Sequence, residues 1–276
     1  MFFLALPNDP RTKLLTVRPP LTSQAPLILP LSDAVRLLLF SNAPSFRPNP
    51  QAPYDPAEAV AALSAADPKL ARLIARAGPF TPRLADQQSP FEALTESIIY
   101  QQLHGKAAAA IHARLIAGFQ PMPTLSPIHP TPQQILDVPT QELRAAGLSA
   151  NKTLALRDLA AKTLDGTVPS LTEIRRMSDA AIIDHLTQVR GIGKWTVEMF
   201  LIFRLGRPDI FPTSDYGVRK GFALTFQNLK PDIKVTPDLL PKPDVMERRA
   251  KKWRPWRSVA SWYLWRACDL AANKLI

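Results

Sequence analysis

The chain has a single cysteine, Cys268, and that scarcity excludes an intramolecular disulfide framework and a four-cysteine iron–sulfur cluster. Histidine is scarce too: His104, His112, His129 and His185 are dispersed without paired metal-ligand spacing, so no transition metal and no catalytic zinc is expected. No apolar run approaches the ~20 residues of a membrane span. The opening MFFLALP is too short for a signal-peptide core and ends in Asn-Asp-Pro. The expectation is a soluble protein without a membrane partner, in a reducing compartment: the bacterial cytosol or, in a eukaryote, the nucleus. Glycine is sparse, 10 residues against 29 prolines, which favours many sharply terminated helices over a β-rich or flexible chain.

What is present in excess is positive charge. A formal net charge of +11 on 276 residues suits a polyanionic partner, because each phosphate neutralised by Lys or Arg releases condensed counterions. With 46% apolar residues the chain can bury one or two cores. Residues 1–54, rich in Pro, Ser, Asn and Gln, offer only short apolar runs at 27–31 and 35–40, and are expected to be a mobile appendage. The globular domain is expected over 55–276. It opens at Asp55-Pro56 with Ala-rich helices divided by Pro68. Capping boxes at Ser89-Pro90-Phe91-Glu92 and Thr131-Pro132-Gln133-Gln134 start two more helices. Further helices are predicted near 141–146, 152–163, 179–188 and 255–272.

The stretch 186–219, LTQVRGIGKWTVEMFLIFRLGRPDIFPTSDYGVR, reads as helix, hairpin, helix, then an isolated acid. Ile182, Ile183, Leu186 and Val189 recur at helical spacing, Gly191-Ile192-Gly193 allows a tight reversal, and Trp195, Met199, Ile202 and Phe203 resume the pattern. Glycines there bring backbone N–H groups close to an anion at a helix start, where the dipole also favours negative charge, so a phosphate is the natural ligand. The plain alternative is an ordinary αα turn. Asp215 is positioned to cap the next helix, worth about 1 kcal/mol, and Asp209 is a rival acid in a surface loop. Upstream, Tyr100-Gln101-Gln102-Leu103-His104-Gly105-Lys106 breaks one helix from the next. Near the end, 251–266 packs four tryptophans among five basic residues.

The pattern Val189-x-Gly191-Ile192-Gly193-x-Trp195-Thr196 followed by Phe211-Pro212-x-x-Asp215 resembles the helix-hairpin-helix DNA glycosylase superfamily, and Gly-Ile-Gly-Lys-Trp-Thr is similar to its alkylpurine branch, the DNA-3-methyladenine glycosylase II group. The resemblance covers about 55–276 and includes Trp253-Arg254-Pro255-Trp256-Arg257-Ser258. It implies an all-α, two-lobed fold with a central cleft, the hairpin on one rim, the 101–104 tip on the other and Asp215 at the bottom. It implies, further, that Asp215 is the catalytic acid and that Trp195, Met199 and Trp265 line the base pocket. Gln101, Gln102, Leu103, His104, Gly191, Gly193, Lys194 and Thr196 would meet DNA, with Leu103 or Gln102 as the wedge and His104 in the groove. Outside the resemblance, Leu103 could equally be core and Trp195 mere packing. Met199 and Arg266 stand where relatives have tyrosine, which makes the pocket less aromatic.

The implied reaction is hydrolysis of an N-glycosidic bond: an alkylated purine is flipped from double-stranded DNA and released as free base. A carboxylate can stabilise the positive charge that develops on the sugar and orient the attacking water. Trp195 occupies the place of the lysine in lyase-competent relatives, and an indole cannot form a Schiff base, so no strand cleavage is expected. Its ring face would attract a base made cationic by methylation. No cofactor is expected; the resemblance implies a monovalent cation, Na+ or K+, on the backbone carbonyls of Thr187, Val189 and Ile192. The protein is expected to act as a monomer. The alternatives are a glycosylase for neutral lesions such as hypoxanthine or ethenoadenine, and a non-catalytic DNA-binding module.

Overall fold

The computed structural model of the protein describes residues 53–82, 84, 88–120 and 129–273, and among these it is helical with no strand. The expected appendage, with both of its apolar runs, lies outside the described residues apart from Pro53 and Tyr54.

Proline marks where several helices begin, because its fixed φ suits the first turn and its missing N–H would have gone unpaired there. α1 (Pro56–Ala66) and α2 (Pro68–Ala77) each start on a proline behind a capping aspartate, Asp55 accepting from the Ala57 N–H at 2.8 Å and Asp67 from the Lys69 N–H at 3.2 Å. α3 (Pro90–Tyr100) has the expected Ser89/Glu92 box and runs into the 101–104 turn, from which α4 (Gly105–Gly118) departs. α5 (Pro132–Asp137) has the Thr131/Gln134 box, and α6 (Thr140–Ala145) and α7 (Ala150–Leu164) follow close to their expected bounds. Next come α8 (Leu171–Ile174), α9 (Asp179–Leu186), α10 (Lys194–Phe203), α11 (Tyr216–Phe226), α12 (Pro243–Ala250) and α13 (Arg257–Ala272). α13 starts after 255 because Trp256 takes the non-helical cap conformation, and α9 stops short of 188 because Thr187 is its C-cap.

Among the described residues, the first two helices and the last three build one lobe and the helices between them build the other. α11 packs along α13, and α1 and α2 lie against that pair. In the middle lobe α7 lies against α3, α5 and α6, with α4 against α3. α10 packs on α9 and α3, so the hairpin helix belongs to the middle lobe while the next helix, α11, belongs to the terminal one. A continuous apolar core, from Leu63 and Leu94 through Leu201 to Tyr263 and Leu264, joins the two.

Within the terminal lobe, Asp67 is fully buried and ties the start of α2 to the end of α12. It accepts from Arg249 Nε and Nη2 at 2.8 Å each and from Trp253 Nε1 at 3.2 Å, with Lys252 Nζ 3.1 Å away. Burial alone would raise this carboxyl, but the donors from Arg249, Lys252 and Trp253 outweigh it and hold Asp67 at about 2. A depressed folded-state value means the contribution is whole above the ordinary carboxylate range and is lost as pH falls from about 4 towards 2. Asp67→Ala is therefore expected to cost about 2–3 kcal/mol at neutral pH, since it strands two cations and an indole N–H. Urea unfolding at pH 7 and pH 3 checks this: the gap between variant and parent should shrink at the lower pH.

Candidate active site

The α9–α10 turn is built to be open at its tip and held firmly behind. Gly191 has φ +78°, a conformation that favours glycine, and is exposed. Gly193 caps α10 without any side-chain hydrogen bond, and a Cβ there would meet nothing within 4 Å, so the start of α10 is uncovered at Gly193 and Lys194. Behind the turn, Lys162 Nζ donates to the Gln188 carbonyl at 2.6 Å, and Asp158 Oδ2 accepts from the Arg190 N–H at 2.6 Å. From the other side Gln101 Nε2 donates to the Gly191 carbonyl at 2.9 Å, which fastens the 101–104 tip directly to the hairpin. In that tip Gln102 is exposed with φ +57°, His104 is exposed, and Leu103 is half-buried. Thus the tip touches the hairpin through Gln101, and Gln102 and His104 beyond it are exposed.

Asp215 is fully buried, at the head of α11, where the two lobes meet. Its Oδ1 accepts from the Val218 N–H at 2.7 Å, which makes it the helix cap, and from Trp265 Nε1 of α13 at 2.8 Å. Its Oδ2 accepts from Trp195 Nε1 of α10 at 2.8 Å. One indole thus comes from each lobe. Burial pushes the Asp215 carboxyl up from its ordinary value, while the N–H groups of Val218, Trp265, Trp195 and Gly217 pull it down. Such a carboxylate is fixed and stripped of water, and it gains most from a positive charge brought close to it.

The three residues expected in the base pocket are arranged unequally. Met199 and Trp265 are buried, Trp265 against Phe203 with ring centroids 5.6 Å apart, and Trp195 is half-buried. The indole N–H groups of both tryptophans are committed to Asp215, a role that sequence reading did not assign to them. Thr196 is buried in the first turn of α10, and Lys194 is exposed. Asp209, the rival acid, is held by Arg257 Nε at 2.6 Å and Arg254 Nη1 at 2.9 Å and serves to fasten the 206–210 loop to the start of α13. Indeed, the basic residues of 251–266 turn mostly to the protein's own acids: Lys252 to Asp67, Arg254 and Arg257 to Asp209, and Arg266 to Asp269. A buried acid on the hairpin helix itself was not singled out by sequence reading. Glu198, buried on α10, shows in sequence only as a charge inside the apolar run WTVEMFLIF.

Among the described residues no group of three or more His, Cys, Asp or Glu could hold a metal ion, and no helix is long and apolar enough to cross a membrane. The carbonyls of Thr187, Val189 and Ile192 belong to the hairpin turn, and that of Val189 also accepts the Ile192 N–H at 3.0 Å. Neutral oxygens of this kind suit a monovalent ion, which would stiffen the turn and add positive charge beside the uncovered start of α10.

Fold and site together define a helix-hairpin-helix protein with a buried acid at the seam of two lobes. The chain belongs to the HhH-GPD superfamily of base excision DNA repair proteins, whose sequence profile matches residues 95–255. It is 35% identical over 210 residues to DNA-3-methyladenine glycosylase 1 of Schizosaccharomyces pombe, covering 76% of this chain and 86% of that protein. Among solved structures, the S. pombe 3-methyladenine DNA glycosylase in complex with abasic DNA superposes with a TM-score of 0.62 at 34% identity, covering 75% of this chain and 95% of that one. The DNA-3-methyladenine glycosidase of Bacillus halodurans gives a TM-score of 0.65 at 30% identity, with 78% and 91% covered.

Proposed function

We propose that this protein is a base-excision repair glycosylase that flips an alkylated purine, of the 3-methyladenine or 7-methylguanine type, out of duplex DNA and hydrolyses its N-glycosidic bond, leaving an abasic site in an intact strand. The observation that carries the reading is the Asp215 carboxylate, buried at the lobe seam, gripped by Trp195 and Trp265, with Trp195 on the helix that starts at the exposed Gly191–Lys194 hairpin.

The chain's own residues divide the work. The open start of α10 takes a phosphate, with Lys194 beside it, and so fixes the register of the duplex without reading sequence. The tip at Gln102 and Leu103 fills the gap that the extruded nucleotide leaves, and its brace through Gln101 keeps the distance between wedge and phosphate site constant. As the C–N bond breaks, the sugar becomes cationic. Asp215 stabilises that cation electrostatically and orients the water that attacks it. Trp195 holds Asp215 through its N–H and offers its ring to the base, an attraction worth roughly 0.5–2 kcal/mol for a cationic base. Much of the selectivity therefore comes from the weak bond of an alkylated base itself. The protein works as a monomer on DNA, in the bacterial cytosol or a nucleus.

Incubation with methylated duplex should release free methylated purine, and subsequent alkali should cut the strand at the abasic sites. Borohydride should trap no protein–DNA adduct, because Trp195 stands where a Schiff-base lysine would be needed. Release of no base from methylated DNA would sink the proposal, and a trapped adduct would show that an amine of the chain attacks the sugar.

A further inference from the structure

Glu198 is an acid near Asp215 that the mechanism above leaves unused. It lies one turn beyond Lys194 on α10 and is only 5% exposed; among the described residues its Oε2 is buried without a hydrogen-bond partner. The Lys194 ammonium stands 3.8 Å from Oε1, on a side chain that is itself 69% exposed. Other buried acids of this protein are better served, Asp67 by three cationic or indole side chains and Glu96 by Arg204 at 2.6 Å. The acids Asp215, ahead of α11, and Glu247, on α12, both act on Glu198 with like charge, and Glu247 has Arg257 at 3.5 Å. On the helices packed against α10, Glu96 of α3 is engaged with Arg204 and Glu92 with the Ser89 N–H, Asp179 of α9 with Arg207 and the His185 ring with the Thr167 carbonyl, while Asp184 of α9 is exposed. Burial outweighs the help from Lys194 and pushes the Glu198 carboxyl up to about 7. A single cation, loosely held and standing at the mouth of the phosphate site, thus supports a buried carboxylate.

We propose that Lys194 is shared between two anions: in the free protein it serves Glu198, on binding it turns to a DNA phosphate at the hairpin, and Glu198 takes up a proton from solvent in its place. The inference rests on the reading of the hairpin as a phosphate site. The balance is simple, one solvent proton forming an O–H bond on Glu198, with Lys194 charged throughout. Ionised Glu198 would otherwise be left between Asp215, Glu247 and the arriving phosphate with no cation near it, which in a buried position is the costlier state. The sign follows from linkage. Protonation of Glu198 accompanies binding, so the carboxyl titrates higher in the complex than in the free protein. Affinity is then greatest below about pH 7 and falls as pH rises through that value, by up to about tenfold per pH unit.

The test is the Kd for an undamaged duplex at constant ionic strength from pH 6 to 9, with the parent protein, Glu198→Gln and Lys194→Met. The parent should weaken above pH 7. Glu198→Gln, already neutral, should lose that slope and bind more tightly than the parent at pH 9, by up to about a hundredfold. Lys194→Met should bind more weakly throughout and show a shallower slope displaced to higher pH, because loss of the ammonium raises Glu198 further in the free protein. Calorimetry of the parent at pH 8 in two buffers of different ionisation enthalpy should report close to one proton taken up per complex, which keeps the idea testable even if Glu198→Gln fails to fold. Equal slopes in parent and Glu198→Gln, or no proton uptake by the parent, overturn the inference. If the slopes are equal and methylated purine is still released, the glycosylase reading stands and the shared lysine alone falls; if the parent binds no duplex at any pH, both fall.

Discussion

Asp215→Asn is expected to slow single-turnover excision of a methylated purine by about a hundredfold or more, while affinity for duplex DNA stays the same or rises. Removing a fixed charge from a shielded site where positive charge develops costs at least ~3 kcal/mol of transition-state stabilisation, roughly a hundredfold in rate. Binding should not suffer, because a carboxylate near phosphates is lost. The geometry adds a cost that a simple isosteric argument overlooks. Both oxygens of Asp215 accept hydrogen bonds, Oδ1 from Val218 and Trp265 and Oδ2 from Trp195. An asparagine has one acceptor oxygen and an NH2 group, so its amide must face one indole N–H donor with another donor. The carbonyl should keep the two partners of Oδ1, which leaves the Trp195 N–H unpaired at about 1–3 kcal/mol. Some stability is therefore lost along with the rate, and the two must be separated. Adding Trp195→Phe to Asp215→Asn removes the stranded donor and should recover much of the stability without recovering excision. If the double variant regains both, the rate loss came from a distorted helix cap, and Asp215 is structural.

That result would also mark the limit of sequence reading at this site. The motif singled out Asp215 over Asp209, and the fold holds the two acids differently: Asp209 is occupied by Arg254 and Arg257, while Asp215 faces neutral N–H donors. What the motif could not reveal is which groups hold the acid. Trp265 follows Asp215 by three helices, and only the packing of α11 along α13 brings its N–H to Oδ1. The same reason explains 251–266, whose density of tryptophan and positive charge is largely an internal matter once Asp67 and Asp209 are folded against it. Helices announced by a local signal were legible, as with the boxes at Ser89/Glu92 and Thr131/Gln134. α8 has the same box, Ser170 with Glu173, but is a single turn with too few apolar positions to show a period. α12 is short and half charged, so nothing but its proline marked it. Glu198 lacked any such signal, since an acid at i+4 from a lysine on a helix is ordinarily a surface pair.

A close crossing of two helices in the terminal lobe sets the other large expectation: Gly221→Ala should destabilise the protein by about 3 kcal/mol or more, the upper end of what overpacking costs. α11 and α13 cross at this glycine, where an added Cβ would stand 1.9 Å from the Leu264 carbonyl oxygen and 2.6 Å from its carbon. Those are backbone atoms within a helix, so no side-chain rotation relieves the overlap and the two helices must move apart. At Gly217, one turn earlier, a Cβ would meet Trp265 Cδ1 at 2.7 Å and Nε1 at 3.0 Å, so a side chain there would push on the indole that holds Asp215. Separation of α11 from α13 would also open the core that Val218, Phe222, Ala260 and Leu264 fill, and lost close packing is not recovered by small adjustments. Asp215 rides on α11 and Trp265 on α13, so the same displacement draws the indole away from the acid. Urea unfolding should show a lower midpoint with an unchanged slope, which is the signature of lost stability without a change of denatured state. Excision per folded molecule should fall along with it. Unfolding at the parental midpoint would mean that the helices cross further apart than a Cβ requires, and that the position of Asp215 does not depend on this contact.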